Sequence, residues 1–158
     1  MSKKQFIEVA FTEESLDSEG HTIKSDIKED LKIEGIENIR TSELYYFEKE
    51  INSEQLEKIT SKVFVDPLIQ KYSVNKNLFE KFNYFVEVKL HNDVTDNVGI
   101  IAEEGIKDYT SKEIGGKIRT AKRYYIEGNI SKETVEKIAK EFLANEVIEN
   151  FEIEEGKK

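Results

Sequence analysis

The sequence predicts an α+β protein built from two tandem βαββαβ units, each with two layers and related by pseudo-two-fold symmetry. Three observations support this prediction. The chain repeats itself without a gap, each copy begins and ends with alternating apolar and polar residues, and helical spacing appears between those segments. Strands that carry helices on one face form a two-layer α+β unit.

The repeat is clearest in two segments, IRTSELYYFE from residue 39 and IRTAKRYYIE from residue 118. The shift of 79 residues that superposes them also aligns Phe6–Val74 with Phe85–Ile153 without a gap. Identical residues lie along the whole alignment, including the pairs Glu8/Glu87, Asp17/Asp96, Gly20/Gly99, Arg40/Arg119, Tyr46/Tyr125 and Ile59/Ile138. We therefore interpret the chain as a duplication, with repeats at residues 1–74 and 85–158 and a linker at 75–84.

Each copy begins with a predicted strand and a predicted helix. FIEVAF and FVEVKL alternate apolar and polar residues, a pattern typical of a half-buried strand. Asp17 or Asp96 then precedes a stretch with helical spacing. The apolar residues with this spacing are Ile23, Ile27 and Leu31 in the first copy, and Ile101, Ala102, Ile106 and Tyr109 in the second.

The second half of each copy predicts further strands around another helix. Each segment from IRT to YYFE or YYIE is rich in Ile and Tyr and has room for a strand, a tight turn and another strand. Asn52 and Ser131 occupy the same aligned position, and both are good N-cap residues for the following helix. LIQKYSV and VIENFEI close each copy with an alternating strand.

The two units are expected to dock together, because a unit of about 70 residues has a marginal core by itself. The linker NKNLFEKFNY contains no glycine or proline. Its residues Leu78, Phe79 and Phe82 predict that it packs against the rest of the protein.

Composition excludes several classes of function. The net charge of -9 disfavours nucleic acid as a partner. No apolar run approaches the roughly 18–20 residues that span a bilayer, and the N-terminus lacks an apolar stretch of signal-peptide length. Cysteine is absent, which excludes disulfides and thiolate chemistry. We therefore expect a cytoplasmic protein.

Catalytic motifs are also missing from the sequence. The two histidines, His21 and His91, have no metal-ligand spacing, and no phosphate-binding or dinucleotide-binding glycine motif occurs. The chain is therefore expected to have no activity of its own, no catalytic residues, no metal and no cofactor.

Two elements remain as candidate sites. DSEG (Asp17–Gly20) and DNVG (Asp96–Gly99) either bind a ligand or partner at a helix N-terminus or simply cap the helix, and capping explains both residues. In the basic run KIRTAKRYY, a strand would place Lys117, Arg119 and Arg123 on one face and Lys122 on the other. That face either contacts phosphate or an acidic partner surface, or is a solvated outer face of the sheet, which we favour.

The end of the second copy, FLANEVIENFEIEE (Phe142–Glu155), resembles the C-terminal signature of the small S subunit of phosphoribosylformylglycinamidine synthase, the PurS family. That family also has a leucine-aspartate-proline-x-glycine loop before its first helix, as in Leu16–Gly20, and a valine-arginine-x-glycine-lysine strand, which Ile118–Lys122 approaches. The family unit is about as long as one copy. The chain departs from the pattern where Ser18 and Asn97 replace the loop proline, Ser42 and Ala121 replace the glycine, and Glu146 replaces a second proline.

The resemblance implies a non-catalytic subunit that bridges a large ATP-dependent synthetase subunit and a glutaminase subunit during purine synthesis. Two copies in one chain would be a covalently joined version of the family dimer. The residues that the resemblance suggests as partner contacts are Asp17, Gly20, Arg40, Asp96, Gly99, Arg119, Lys122 and Asn145. Self-association through the sheet edges is left open.

Other functions compete with this one. Paired βαββαβ units also form stand-alone regulatory modules that bind a small metabolite between their halves. Such modules often use a glycine-rich turn after the first strand, whereas TEESLDSEG and HNDVTDNVG are polar and place their glycine late. A purely structural assembly protein ranks next, and a hydrolase without a recognisable catalytic set ranks last.

Overall fold

The computed structural model of the protein describes residues 4–156, and its two copies have the same order of strands and α-helices, with an additional 3-10 turn at Glu14–Leu16 in the first copy. The first copy contains β1 (Gln5–Phe11), α1 (Ser18–Asp30), β2 (Ile36–Phe47), α2 (Ser53–Ile59) and β3 (Gln70–Val74). The second contains β4 (Tyr84–Leu90), α3 (Asn97–Thr110), β5 (Ile118–Gly128), α4 (Lys132–Ile138) and β6 (Glu149–Glu155). Helices α2 and α4 each continue into a π-helical turn, at Thr60–Phe64 and Ala139–Leu143. The predicted α+β class with two tandem units is confirmed.

The middle of each copy differs in detail from the expected strand, turn and strand. The order remains βαββαβ-like, but the two expected strands form one continuous strand, of 12 residues in β2 and 11 in β5. Neither strand contains a glycine or proline before its last residue, so nothing in the sequence interrupts the pairing. Residues 43–47 of β2 and 121–126 of β5 pair with the first strand of their own copy.

All six strands form one antiparallel sheet in the order β3-β1-β2-β5-β4-β6. The two copies join through β2 and β5, which pair along their whole lengths. In this register Thr41 lies opposite Tyr124, and Tyr45 lies opposite Thr120. Thr120 and Tyr124 are the repeat equivalents of Thr41 and Tyr45. Replacing every residue by its equivalent therefore converts one pair into the other, as a two-fold rotation would. The predicted pseudo-two-fold symmetry therefore passes between β2 and β5.

Side chains predicted from the sequence cap the helices. Asn52 accepts a hydrogen bond from the amide of Gln55 at 2.8 Å, and Ser131 accepts one from the amide of Thr134 at 3.2 Å. Both caps are confirmed. Within the described part of the chain, none of these helices has the length and apolar content needed to cross a bilayer.

The hydrophobic core consists of two clusters, and each cluster contains residues of both copies. One joins Ile27 of α1 and Ile39 of β2 to buried residues of the second copy, namely Val86, Val88, Tyr124, Ile126, Val135, Ile138, Ala139 and Leu143. The other joins Ala102 and Ile106 of α3 and Ile118 of β5 to residues of the first copy, namely Ile7, Val9, Phe47, Ile51, Leu56 and Ile59. Helix α1 thus packs against buried residues of the second copy, and α3 packs against buried residues of the first copy. The proposed boundaries at 1–74, 75–84 and 85–158 describe the repeat and stay a prediction as domain limits.

The linker packs against the sheet, as predicted. The rings of Phe79 and Phe82 lie 5.0 and 5.1 Å from the ring of Tyr125 in edge-on geometry. The amide of Leu78 donates to the carboxylate of Glu8 at 3.0 Å. These contacts join the linker to strands of both copies.

Candidate functional site

The two Asp-x-x-Gly elements are helix caps that also tie each helix to the middle strand of its copy. Asp17 accepts hydrogen bonds from the amide of Gly20 at 3.0 Å and from the amide and hydroxyl of Thr41 at 2.6 and 2.8 Å. Asp96 accepts the same three bonds from Gly99 and Thr120. Both carboxylates are buried. The capping interpretation is confirmed, and a direct role of these residues in partner binding stays a prediction.

Gly20 and Gly99 are required because each helix approaches the sheet very closely. A Cβ on Gly20 would overlap the carbonyl oxygen of Ile39, and a Cβ on Gly99 would overlap that of Ile118. Since backbone atoms cannot move aside as a flexible side chain can, only glycine fits at these positions.

Arg40 and Arg119 stabilise the loops that carry these caps. Arg40 donates to the carbonyl of Phe11 at 2.8 Å, and its guanidinium lies 4.5 Å from the ring centroid of Phe79 in the linker. Arg119 donates to the carbonyls of His91 and Val94, both at 3.0 Å. Both side chains are only partly exposed. They hold the loops in shape, and their predicted contact with a partner remains untested.

Lys122 lies on the pseudo-two-fold axis, on the helix-bearing face of the sheet. It is opposite its own repeat equivalent, Glu43, and it forms an ion pair with Glu19 of α1. Two equivalent cavities flank the axis and share Glu43 and Lys122 in their linings. The cavity beside α3 has a volume of about 340 Å³, and the one beside α1 has about 190 Å³.

On the opposite face, a buried charged cluster joins the two copies near the axis. Arg123 donates to Glu87 at 2.7 Å and to Glu8 at 3.1 Å, and these glutamates are repeat equivalents. Tyr46 donates to Glu87 at 2.7 Å, and Tyr125 donates to Glu8 at 2.6 Å. Each tyrosine therefore serves the glutamate of the other copy, while one arginine serves both.

Burial and charge set the protonation of this cluster. Burial raises the pKa of Tyr125 well above its ordinary value, and the charge of Glu8 raises it further. Burial alone would lower the pKa of Arg123, but Glu8, Tyr125 and Glu87 together raise it. Arg123 is therefore a permanent buried cation. The expectation that Arg123 belongs to a solvated outer face is wrong, because Glu8 and Glu87 hold it under the linker.

Asn145 shapes a turn that exposes an aliphatic side chain. Its carboxamide accepts a hydrogen bond from the amide of Val147 at 3.2 Å, and the equivalent Asp66 accepts one from Leu68 at 3.0 Å. Val147 is 83% exposed and Leu68 is 88% exposed. These two turns, Asp66–Ile69 and Asn145–Ile148, precede the two outermost strands of the sheet and so lie at opposite edges.

Glu8, Glu87, Leu68 and Val147 are not among the residues that the sequence predicts as functional. Glu8 and Glu87 interrupt apolar strands at equivalent positions, and that identity was the available signal for a buried pair. Leu68 and Val147 begin the segments LIQKYSV and VIENFEI, and an apolar residue in a predicted strand is expected to be buried. Within residues 4–156, no group of His, Asp and Glu side chains is arranged to hold a metal ion.

Comparison with protein-family models identifies the relationship of the chain. The model of PurS, described as phosphoribosylformylglycinamidine (FGAM) synthase, matches twice, at residues 4–77 and 83–156. A search of curated proteins gave no match. The two matched ranges cover most of the chain and coincide with the two halves of the six-stranded sheet. The chain therefore belongs to the PurS family, carries the family unit twice, and is a subunit of FGAM synthase in purine biosynthesis.

Proposed function

We propose that this chain is the non-catalytic subunit that bridges the ATP-dependent synthetase subunit and the glutaminase subunit of FGAM synthase in the cytoplasm. The glutaminase releases ammonia from glutamine, and the synthetase uses it to convert formylglycinamide ribonucleotide to its amidine. A bridging subunit keeps the two active sites in one assembly, so that ammonia made on one subunit reaches the other.

The observation that carries this proposal is the pair of equivalent turns at the two edges of the sheet. Each turn presents an aliphatic side chain, Leu68 or Val147, that is almost fully exposed while its backbone is fixed by hydrogen bonds. An exposed aliphatic residue on an ordered turn is suited to a pocket on another protein, because little conformational entropy is lost on binding. Two such turns at opposite edges suit a protein with two neighbours.

The eight predicted contact residues fit this proposal in two ways. Lys122 and Asn145 have exposed or partly exposed side chains and are available to a partner. Asp17, Gly20, Arg40 and their equivalents Asp96, Gly99 and Arg119 act through the shape of the loops that they stabilise. In this proposal the second group positions the surface and the first group contacts the partner.

Reconstitution with the two other subunits tests the proposal. Glutamine-dependent amidine formation is measured with and without this chain, and ammonia-dependent formation is measured in parallel. We expect only the glutamine-dependent reaction to need this chain. Equal glutamine-dependent rates without it, together with no co-elution, would exclude the bridging role and favour the stand-alone metabolite-binding module.

Variants of the two turns test whether their exposed aliphatic side chains contact a partner. Leu68→Asp and Val147→Asp each place a charge where an apolar contact is proposed. Each should lower the affinity for a partner, followed by co-elution, by about tenfold or more. Ser53→Asp, which adds the same charge at an exposed position at the start of α2, is the matched control. Loss of assembly in the control as well would show a general effect of charge.

A further inference from the structure

The outer surfaces of the equivalent helices α1 and α3 have diverged. Along one side of α3 lie Val98, Ile101 and Tyr109, which are 54%, 66% and 49% exposed. Their spacing of three and eight residues places them on the same side of the helix. The equivalent residues of α1 are polar, namely Glu19, Thr22 and Asp30. One copy therefore exposes an apolar stripe, defined here as Val98, Ile101 and Tyr109, and the other does not.

The stripe continues into the larger of the two cavities on the axis. Val98 lines this cavity of about 340 Å³ together with Tyr45, Val88 and Leu90, and the lining also includes the charged residues Glu43, Lys89, Asp96, Lys122 and Glu149. On the α1 side, the position equivalent to Val98 is Glu19, which forms an ion pair with Lys122, and both residues line the smaller cavity. The cavity beside α3 is thus the wider one and has an apolar residue at its helix side, whereas the cavity beside α1 is smaller and has a charged residue there.

The charges around the stripe indicate which kind of protein covers it. The exposed residues of α3 near the stripe include the carboxylates of Glu104 and Asp108 and one cation, Lys107, and the whole chain has a net charge of -9. A second copy of the chain also carries a net charge of -9, and like charges repel. A different protein with an apolar ridge flanked by Lys or Arg complements both the stripe and its rim.

We propose that the apolar stripe of α3 and the adjoining cavity bind a partner subunit of the synthase through an apolar side chain flanked by basic residues. This inference rests on the proposed bridging function and adds the face of the chain that the partner contacts. A homodimer of single units would offer this helix face twice. The duplicated chain offers it once, so one chain binds one copy of that subunit on this face and in one orientation.

The experiment transfers the α1 residues to α3 in the full-length chain. The triple variant Val98→Glu/Ile101→Thr/Tyr109→Asp replaces exposed residues with those that α1 carries at the same positions. Ile100→His is the matched control, because Ile100 is also exposed on α3 but lies away from the stripe and is equivalent to His21. Binding of each variant to the separate synthetase and glutaminase subunits is measured by sedimentation velocity.

We expect the triple variant to bind one of the two subunits at least tenfold more weakly and the control to bind both like the original chain. Unchanged binding of the triple variant, with the original chain still assembling, would overturn this inference and leave the bridging function standing. Failure of the original chain to bind either subunit would instead overturn the bridging function. If the original chain alone sediments as a dimer and the triple variant as a monomer, the stripe is a self-association surface and the proposal is wrong.

Discussion

Glu43 and Lys122 are the same position of the repeat, and they lie opposite each other on the pseudo-two-fold axis. In a symmetric dimer of identical units, any residue at this position would face a copy of itself. Glutamate would then face glutamate, or lysine would face lysine, and like charges directly opposite each other destabilise a sheet. The duplicated chain carries opposite charges at the axis, which a dimer of one repeated unit cannot do.

Arg123 is another position at which the two copies differ, and its side chain should contribute strongly to stability. Arg123→Leu leaves the buried carboxylates of Glu8 and Glu87 without their shared cation, so we expect the free energy of unfolding to fall by about 3–5 kcal/mol. The equivalent residue of the first copy is Leu44, which is also buried and lies opposite Glu8 in the sheet. Urea denaturation of the single variant measures the loss.

Leu44→Arg/Arg123→Leu moves the arginine to the equivalent place across the axis. There it should reach both Glu8 and Glu87, so we expect the double variant to recover about half of the lost stability. Full recovery is not expected, because Asn77 in the linker accepts a bond from Arg123 at 2.8 Å and has no equivalent on the other side. A double variant no more stable than Arg123→Leu would contradict the pseudo-symmetric account of the cluster.

Stability should decline in alkaline solution because of Tyr125. The pKa of Tyr125 is raised in the folded protein, whereas the unfolded chain has an ordinary tyrosine pKa of about 10. The folded state therefore holds its proton above pH 10 while the unfolded state releases it. The stabilisation is fully present below pH 10 and is lost as pH rises toward the folded pKa, at about 1.4 kcal/mol per pH unit. Tyr125→Phe should reduce this slope above pH 10 by up to about 1.4 kcal/mol per pH unit, and an unchanged slope would contradict the prediction.

The close approach of α3 to β5 predicts that Gly99 cannot be replaced. Gly99→Ala places a methyl group against the backbone carbonyl of Ile118, which should cost about 1–3 kcal/mol or more. Gly105→Ala is the internal control, because its Cβ would lie 3.0 Å from a side-chain methyl group of Val63 and would not meet a backbone atom. Since alanine favours a helix by up to about 1 kcal/mol over glycine, the control should change stability little. Comparable losses in both variants would contradict the argument.

Asp96 should stabilise the protein through three hydrogen bonds at the start of α3. Asp96→Ala removes the acceptor for Gly99 and for both donors of Thr120, and we expect a loss of about 2 kcal/mol. Asp93→Ala, at an exposed position in the same loop, should be neutral. Thermal unfolding of the two variants decides the point, and equal melting temperatures would mean that the cap contributes nothing.

Much of the fold could be predicted because the repeat supplied two independent versions of each pattern. Asn52 and Ser131 indicated the same helix start, and Phe79 and Phe82 correctly predicted a packed linker. The continuous β2 could not be predicted, because no local residue distinguishes a long paired strand from two strands with a turn. Its length depends on β5, which is distant in sequence.

The candidate site was less predictable because exposure depends on the packing of the whole chain. Ile101 and Tyr109 have helical spacing with buried Ile106, yet both lie on the outer side of α3. Arg123 follows the alternation of a surface strand, and only the linker and two distant glutamates bury it. Asp17 and Asp96 were read correctly as caps, since a capping bond is local to the helix start.

The packed linker has a consequence for the protein at low concentration. A dimer of separate units dissociates on dilution, whereas two halves joined by about ten ordered residues meet at an effective concentration that dilution does not change. The midpoint of unfolding should therefore be independent of the amount of protein present. A cell could make very few molecules of this chain, and every one of them would still have both halves assembled.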